Sequence, residues 1–460
     1  MLSYLDRQTT LTGNQKRIVA VGILGDMLEF FDYFLIGYVV AFIAGPWKLT
    51  FGQSAVILLA SGFGAMFGAF FFGWLADQIG RRRVFIITVL NFSIGTGVLA
   101  FTPDGAWAFL ALMRFAVGVG VGGLYCVILP LVQEFMPAAR RGKISGIVTS
   151  AVPAGNLLGA LLGATITPLV GWRGLFAVGT FPAVLVLLVL KWVPESPRWL
   201  IQKGRIDEAR QSLGWALEMN PADLPTTASV PSQAGAKMGD LLRYPRSLAV
   251  SWITNLGAQT GAYGFNLWAP TLIVLVLTVK PERAAFLMIW VTLAAIPGRL
   301  LMSYLSDAIG RRWSGALAGF GSATMLILAA LSRDVFVGEI SLFWLLLIVT
   351  SFSIEGNFAI VGPYAAEVWP STLRTTGMGS AYGFGGLGKI IGPLGLALIV
   401  GSSNVVTPKA SVSALLPAYA FLACWYLVDA AAFLILGFET KGRSLEAIEH
   451  DLEKQARGRS

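Results

Sequence analysis

Histidine, cysteine and charge are all scarce in this chain of 460 residues. Its one histidine, His450, lies in a polar stretch near the C-terminus, which argues against metal chemistry and against a histidine proton relay in the apolar segments. The two cysteines, Cys126 and Cys424, both fall in apolar runs, so no disulfide framework is expected. Charged residues make up only 13%, about half the roughly 25% of an ordinary soluble domain. The opening "MLSYLDRQTTLTGNQKR" has no short apolar core followed by a small-residue cleavage site, and no cleaved signal peptide is expected. What the chain has in abundance is apolar surface: 55% hydrophobic residues and 53 glycines, in long runs from end to end. Runs such as "FPAVLVLLVLKWV" are continuously apolar instead of alternating, which selects membrane helices over a barrel.

Twelve spans, each about 20 residues or longer as a ~30 Å hydrocarbon core requires, are expected near 17–44, 53–76, 84–102, 107–136, 144–168, 174–193, 247–278, 285–306, 313–331, 340–362, 375–400 and 417–438. The net charge of +9 is then topological rather than a sign of nucleic-acid binding. Twenty-five of the 34 Lys and Arg residues fall in the termini and even-numbered loops, and six (Lys48, Arg173, Lys280, Arg283, Arg333 and Lys409) in the odd-numbered loops. That bias predicts a multi-pass protein of the inner or plasma membrane with both termini and the central loop cytoplasmic.

The chain also repeats itself. "DQIGRRR" (Asp77 to Arg83) recurs as "DAIGRRW" (Asp307 to Trp313), and "PLVQEFMPAARRG" (from Pro130) as "PYAAEVWPSTLRT" (from Pro363), at offsets of 230 and 233. Gly146, Gly155 and Gly159 correspond to Gly379, Gly388 and Gly392. Two six-span halves in the same orientation follow, a parallel repeat known in one large class of secondary transporters. The expected organisation is an N-terminal six-helix bundle over 1–190, a cytoplasmic loop with short helices and a flexible linker over 191–246, a C-terminal bundle over 247–440 and a cytoplasmic tail over 441–460.

"GWLADQIGRRR" resembles the loop signature of the major facilitator superfamily, and "RFAVGVGVGG" its fourth-helix Arg and glycine motif. "PESPRWLIQKGRIDEA" and "ETKGRSLE" resemble the ends of the sixth and twelfth helices in the sugar-porter and organic-ion branches. "AEVWPSTLRTTGMG" and "LEFFDYF" resemble the aromatic-acid and metabolite proton symporters. The resemblance spans nearly the whole chain and implies an all-α membrane protein with twelve transmembrane helices in two six-helix bundles. It also points to a salt-bridge latch at the cytoplasmic helix ends, formed by Asp77, Arg81, Arg82, Asp307, Arg311 and Arg312, with Glu134, Arg141, Glu367 and Arg374 in the same networks. Arg299, eight residues before Asp307, is assigned to that latch as well.

Ionisable residues inside the spans are functional candidates by default, because each costs about 2.5 kcal/mol or more near a bilayer centre unless paired or wet. Asp26, Glu29 and Asp32, spaced i, i+3 and i+6 on the first span, cover an arc of about 120° and can face one cavity. With Arg114 of the fourth span and Glu355 of the tenth, they are the proton-coupling candidates. Lys389, which stands where the first half has Asn156, is expected to pair with Glu355. Together with Arg114, the seventh-span residues Asn255, Gln259, Tyr263, Asn266 and Trp268 complete the expected substrate site. The glycines of "GFGAMFGAFFFG" and "GVGVGG" are expected to permit close helix packing.

The function expected is secondary transport of a small organic anion, a carboxylate metabolite or aromatic acid, by proton symport with alternating access. Its partners are that substrate, protons and the bilayer; no nucleic acid, metal or cofactor is expected, and the protein is expected to be a monomer. A proton-coupled sugar, polyol or organic-cation transporter, a drug exporter and a non-transporting sensor are the alternatives. No clustered nucleophile and base suggests an enzyme.

Overall fold

Long apolar runs interrupted by glycine and proline give an almost wholly helical chain. The computed structural model describes residues 1–8, 10–137, 140–226, 238–370, 373–441 and 451–452. The expected flexible linker and most of the tail, His450 included, lie outside the described residues. In chain order the helices are α1 (Ser3–Asp6), α2 (Gly13–Ile43), α3 (Phe51–Ile79), α4 (Arg81–Leu99), α5 (Trp107–Glu134), α6 (Arg141–Thr149), α7 (Val152–Thr165), α8 (Thr167–Val178) and α9 (Leu185–Trp192). The short α10 (Pro197–Gln202) and α11 (Ile206–Leu217) follow. Then come α12 (Pro245–Leu277), α13 (Pro281–Ile309), α14 (Arg311–Leu331), α15 (Leu342–Glu367), α16 (Arg374–Gly385), α17 (Gly388–Val400) and α18 (Pro408–Ile435). A two-residue antiparallel pair, Phe336–Val337 with Ile340–Ser341, forms the turn before α15.

Among the described residues, ten helices are long and apolar enough to cross a membrane, or eleven if one bent pair counts as a single span. That pair, Thr167–Val178 with Phe181–Trp192, bends by 42°; its break falls inside the expected sixth span, 174–193, where a 3-10 turn with Pro182 follows, while Gly171 at φ 71° kinks α8 just before that span begins. α2 is not among the ten, although it is 31 residues long. Asp26, Glu29 and Asp32 load its apolar part with charge.

The chain divides into two compact units, residues 1–36 with 60–232 and residues 37–59 with 233–460. In the first unit α3 and α5 approach so closely that a Cβ at Gly64, Gly68, Gly118 or Gly122 would come within 2.2 Å of a facing backbone oxygen. This is the small-residue packing by which membrane helices associate without a hydrophobic drive between them. α1 and α11 dock through Leu5, Leu213, Leu217 and Leu224. Asn14 adds a bond from its side-chain amide to the Trp215 carbonyl at 2.8 Å. In the second unit α12 packs along α18 through Gly257, Gly261 and Gly264, which face Asp429, Tyr426 and Leu422 in turn. The stretch 37–59 joins this unit through its backbone: the Phe51 and Gly52 N–H groups donate to the carbonyls of Asn404 and Ser402, each at 2.9 Å.

Candidate functional site

The first unit brings together residues from three helices. Asp32 on α2 and Arg114 on α5 form an ion pair, Nη1 to Oδ2 at 3.2 Å, with both side chains fully buried. The Thr96 hydroxyl on α4 donates to the other carboxylate oxygen. Arg114 Nη2 donates to the backbone carbonyls of Asp32 at 3.0 Å and Tyr33 at 3.3 Å. Two kinds of acceptor therefore hold the guanidinium, and only one of them is titratable. Protonating Asp32 removes the charge partner but leaves Arg114 anchored to the carbonyls. Since Arg keeps its charge, the pair is an electrostatic element whose balance depends on one proton. Asp26 and Glu29 are buried on the same helix. Thr96 escaped the sequence reading: a threonine between Gly95 and Gly97 carries no charge signal.

The second unit holds the other candidates. The Lys389 ammonium on α17 stands over the rings of Tyr263 on α12 and Tyr382 on α16, 5.1 and 5.3 Å from their centroids. Both contacts are of the cation–π type, worth about 0.5–2 kcal/mol each according to exposure. Lys389 is only half-buried. Beside it, Gln259 Nε2 reaches the Tyr382 carbonyl at 3.4 Å, and the Trp252 ring stacks on Phe384 with centroids 4.4 Å apart. The expected pairing of Glu355 with Lys389 needs correction. The cation shown at Glu355 is Arg299 of α13, Nε to Oε2 at 3.6 Å, a residue the sequence reading assigned to the latch. Depth along two helices cannot tell which faces meet, and that is why the wrong cation was chosen. Asn255 donates to the Ser251 carbonyl on its own helix at 2.9 Å, and Asn266 is buried further along α12. Trp268 is fully buried, its ring against Phe51 and its Nε1 donating to the Pro393 carbonyl at 3.1 Å.

The duplicated loops build two matching charge networks. Arg81 bonds Asp77 at 3.1 Å and Glu134 at 2.8 Å; Arg311 bonds Asp307 at 2.6 Å and Glu367 at 3.4 Å. Each network has a further member that the sequence reading quoted within a motif without giving it a role. Glu195 Oε1 accepts from the N–H groups of Arg81 and Arg82, at 2.9 and 3.1 Å, and so caps the N-terminus of α4. Glu439 does the same for Arg311 and Arg312, at 2.9 and 3.3 Å. The residue after each glutamate, Ser196 or Thr440, donates its hydroxyl to Glu134 or Glu367. The second arginines also match: Arg82 reaches the Leu190 carbonyl and Arg312 that of Leu434. The loop glycine is required twice over. Gly80 and Gly310 sit at φ 105° and 103°, where L side chains are strained. A Cβ at either would also lie 2.2 Å from the capping carboxylate. Arg141 donates to the Gln133 and Met136 carbonyls rather than to Glu134. Burial, and then the charge of Arg198, hold it below the usual guanidinium range. Arg374 Nε has no hydrogen-bond partner among the described residues.

Residues 18–452 match the family described as "Sugar (and other) transporter". The niacin transporter NiaP of Acinetobacter baylyi is 30% identical over 432 residues, 92% of this chain and 94% of that protein. The cis,cis-muconate transport protein of the same organism is 26% identical, over 87% of this chain and 92% of that protein. Among solved structures, the proton:xylose symporter XylE of E. coli bound to 6-bromo-6-deoxy-D-glucose superposes with a TM-score of 0.70 at 21% identity, covering 96% of this chain and all of that one.

Proposed function

The chain belongs to the sugar (and other) transporter family of the major facilitator superfamily, and from that premise we propose that it carries a small, flat organic anion across the membrane together with a proton. It is a transporter and not an enzyme. The observation that carries the substrate reading is Lys389: a half-buried ammonium in a glycine-rich span, set between the faces of Tyr263 and Tyr382. An ammonium recognises carboxylate as a point charge, and tyrosine faces favour a planar, unsaturated frame. The niacin and muconate relatives transport molecules of that description, and their names support the reading.

The Asp32–Arg114 pair with Thr96 supports the proton half of the cycle. Asp32 takes a proton, Arg114 remains on the two carbonyls, and the altered charge balance in the first unit biases the exchange between access states. The two charge networks act as a latch on that exchange. Two six-helix bundles, 1–190 and 247–440, alternate access as a monomer in the inner or plasma membrane, with both termini cytoplasmic.

The test is uptake into proteoliposomes of a panel of aromatic and unsaturated carboxylates, with sugars and organic cations as controls. Carboxylates alone should be taken up, and Lys389→Ala should lose them. Uptake of a sugar or a cation that survives Lys389→Ala refutes the anion reading.

A further inference from the structure

The first unit has its three buried acids on α2, but the second unit has one that neither the substrate site nor the latch uses. Asp429 on α18 is fully buried. Asn357 of α15 donates its amide N–H to Oδ2 at 2.6 Å. The other carboxylate oxygen, Oδ1, has no hydrogen-bond partner among the described residues, and neither does Asn357 Oδ1. No ion pair reaches Asp429 among the described residues; the buried acid of α15, Glu355, is paired with Arg299 of α13. α12 and α14 close over it with Gly257 and Gly319, whose added Cβ atoms would lie 3.0 Å from the Asp429 side chain. Its own helix contributes Tyr426, whose hydroxyl donates to the Ala258 carbonyl at 3.5 Å.

The internal repeat shows what packing alone requires here. At the offset relating Glu195 to Glu439, Asp429 corresponds to Leu185. At the offset relating Glu134 to Glu367, Asn357 corresponds to Leu124. Both leucines are buried in the first unit, and Gly25 faces Leu185 there as Gly257 faces Asp429 here. Buried leucines therefore stand at both equivalent positions. An isolated carboxylate in that place is strongly disfavoured.

We infer that Asp429 is a second proton-binding site, built by the Asp429–Asn357 pair and enclosed by the glycine faces of α12 and α14. A proton arriving from water forms an O–H bond at Oδ1, the oxygen without a partner, while Asn357 keeps its bond to Oδ2. Asn357 Oδ1, which also has no hydrogen-bond partner among the described residues, is the acceptor the same side chain offers to that hydroxyl. Because α12 also carries Tyr263 and Gln259 of the substrate site, a shift of α12 along its glycine stripe changes the enclosure of Asp429. Proton occupancy is thereby tied to the state of that helix. The inference rests on the proton-coupled reading only for the use made of the proton; the site itself is independent of the substrate.

The experiment measures protonation directly on the purified full-length protein in lipid, by pH-dependent infrared difference spectroscopy with no substrate added. The wild type should show a buried protonated-carboxyl band that survives in Asp32→Asn and is lost in Asp429→Asn. Asn357→Leu should move the pH at which the band disappears. The double variant Asp429→Leu/Asn357→Leu puts leucine at both positions, as the first unit has; it should fold, and should bind one proton fewer per molecule. Spectra and proton counts identical between wild type and the Asp429 variants, with only the melting temperature changed, would overturn the inference and leave the pair a structural tie.

Discussion

At the scale of single residues, this protein places few charges in its interior, and two of them are paired with each other. Asp32 and Arg114 are joined by a direct ion pair, and a buried pair of this sort gains little net stability while being costly to break. Asp32→Asn should therefore lower thermal stability, by roughly 3 kcal/mol or less since the carbonyl bonds of Arg114 remain. It should also abolish accumulation driven by a pH gradient while exchange of substrate across the membrane continues. Undiminished uphill uptake in Asp32→Asn would remove this residue from the coupling. For Lys389, replacement by alanine should weaken anion binding at least ~tenfold, about 1.4 kcal/mol. Lys389→Arg should recover only part of the loss, because a planar fork does not reproduce a point ammonium between two rings. Equilibrium affinity and melting temperature measured on the same purified variant separate a binding role from a purely structural one. The three carboxylates of α2, Arg114 and Lys389 could be picked out from the sequence because a charge in an apolar run is conspicuous. Thr96, Tyr382 and the partner of Glu355 could not, because neutral residues carry no such contrast and helix depth does not fix the facing side.

At the scale of elements, the repeated loops show how a short motif is completed by a distant one. The sequence showed Asp-x-x-Gly-Arg-Arg twice, and the matching glutamates Glu195 and Glu439 were also present twice, in "PESPRW" and "ETKGR". Their role became evident only when the chain brought them to the N-termini of α4 and α14, where unpaired N–H groups and the helix dipole favour a carboxylate. Removing the cap in Glu195→Ala should destabilise the start of α4 by about 1 kcal/mol. It should slow transport while leaving substrate affinity within a few-fold, and Asp77→Ala should behave in the same way. Gly80→Ala should be more severe than either, since it combines a strained φ with a clash against Glu195. Affinity measured by calorimetry alongside transport rates would check this; a large selective loss of affinity in Glu195→Ala would contradict a conformational role. The bend between α8 and α9 is a different case. Pro182 was visible inside the expected span 174–193, but apolar length alone gave no sign of a break there.

At the scale of the whole molecule, the repeat relates two halves that share one set of backbone solutions and differ in their buried charges. Offsets of 230 and 233 put Leu326 and Leu347 where Thr96 and Arg114 stand, just as Leu124 and Leu185 stand where Asn357 and Asp429 do. Each half therefore has polar groups at buried positions where the other has leucine. The fold class was readable at this scale because duplicated motifs and hydropathy agree, while the three carboxylates proposed for proton coupling are also what removes α2 from a purely apolar count of spans. The whole-molecule prediction concerns orientation. A single cysteine introduced at Ser3 in a variant lacking Cys126 and Cys424 should react with a membrane-impermeant thiol reagent only after the cells are opened; labelling of intact cells would reverse the topology.

The central claim is that movement of an organic anion is coupled to a proton through the first unit. It is tested most directly by proteoliposomes holding the purified protein, loaded at one pH and diluted into another, with uptake of a labelled aromatic carboxylate followed beside the internal pH. The wild type should accumulate the anion above its external concentration and acidify the lumen as it does so. Asp32→Asn should equilibrate the anion with no accumulation and no acidification. Accumulation that proceeds in the wild type without any proton movement, or that survives unchanged in Asp32→Asn, would contradict the account.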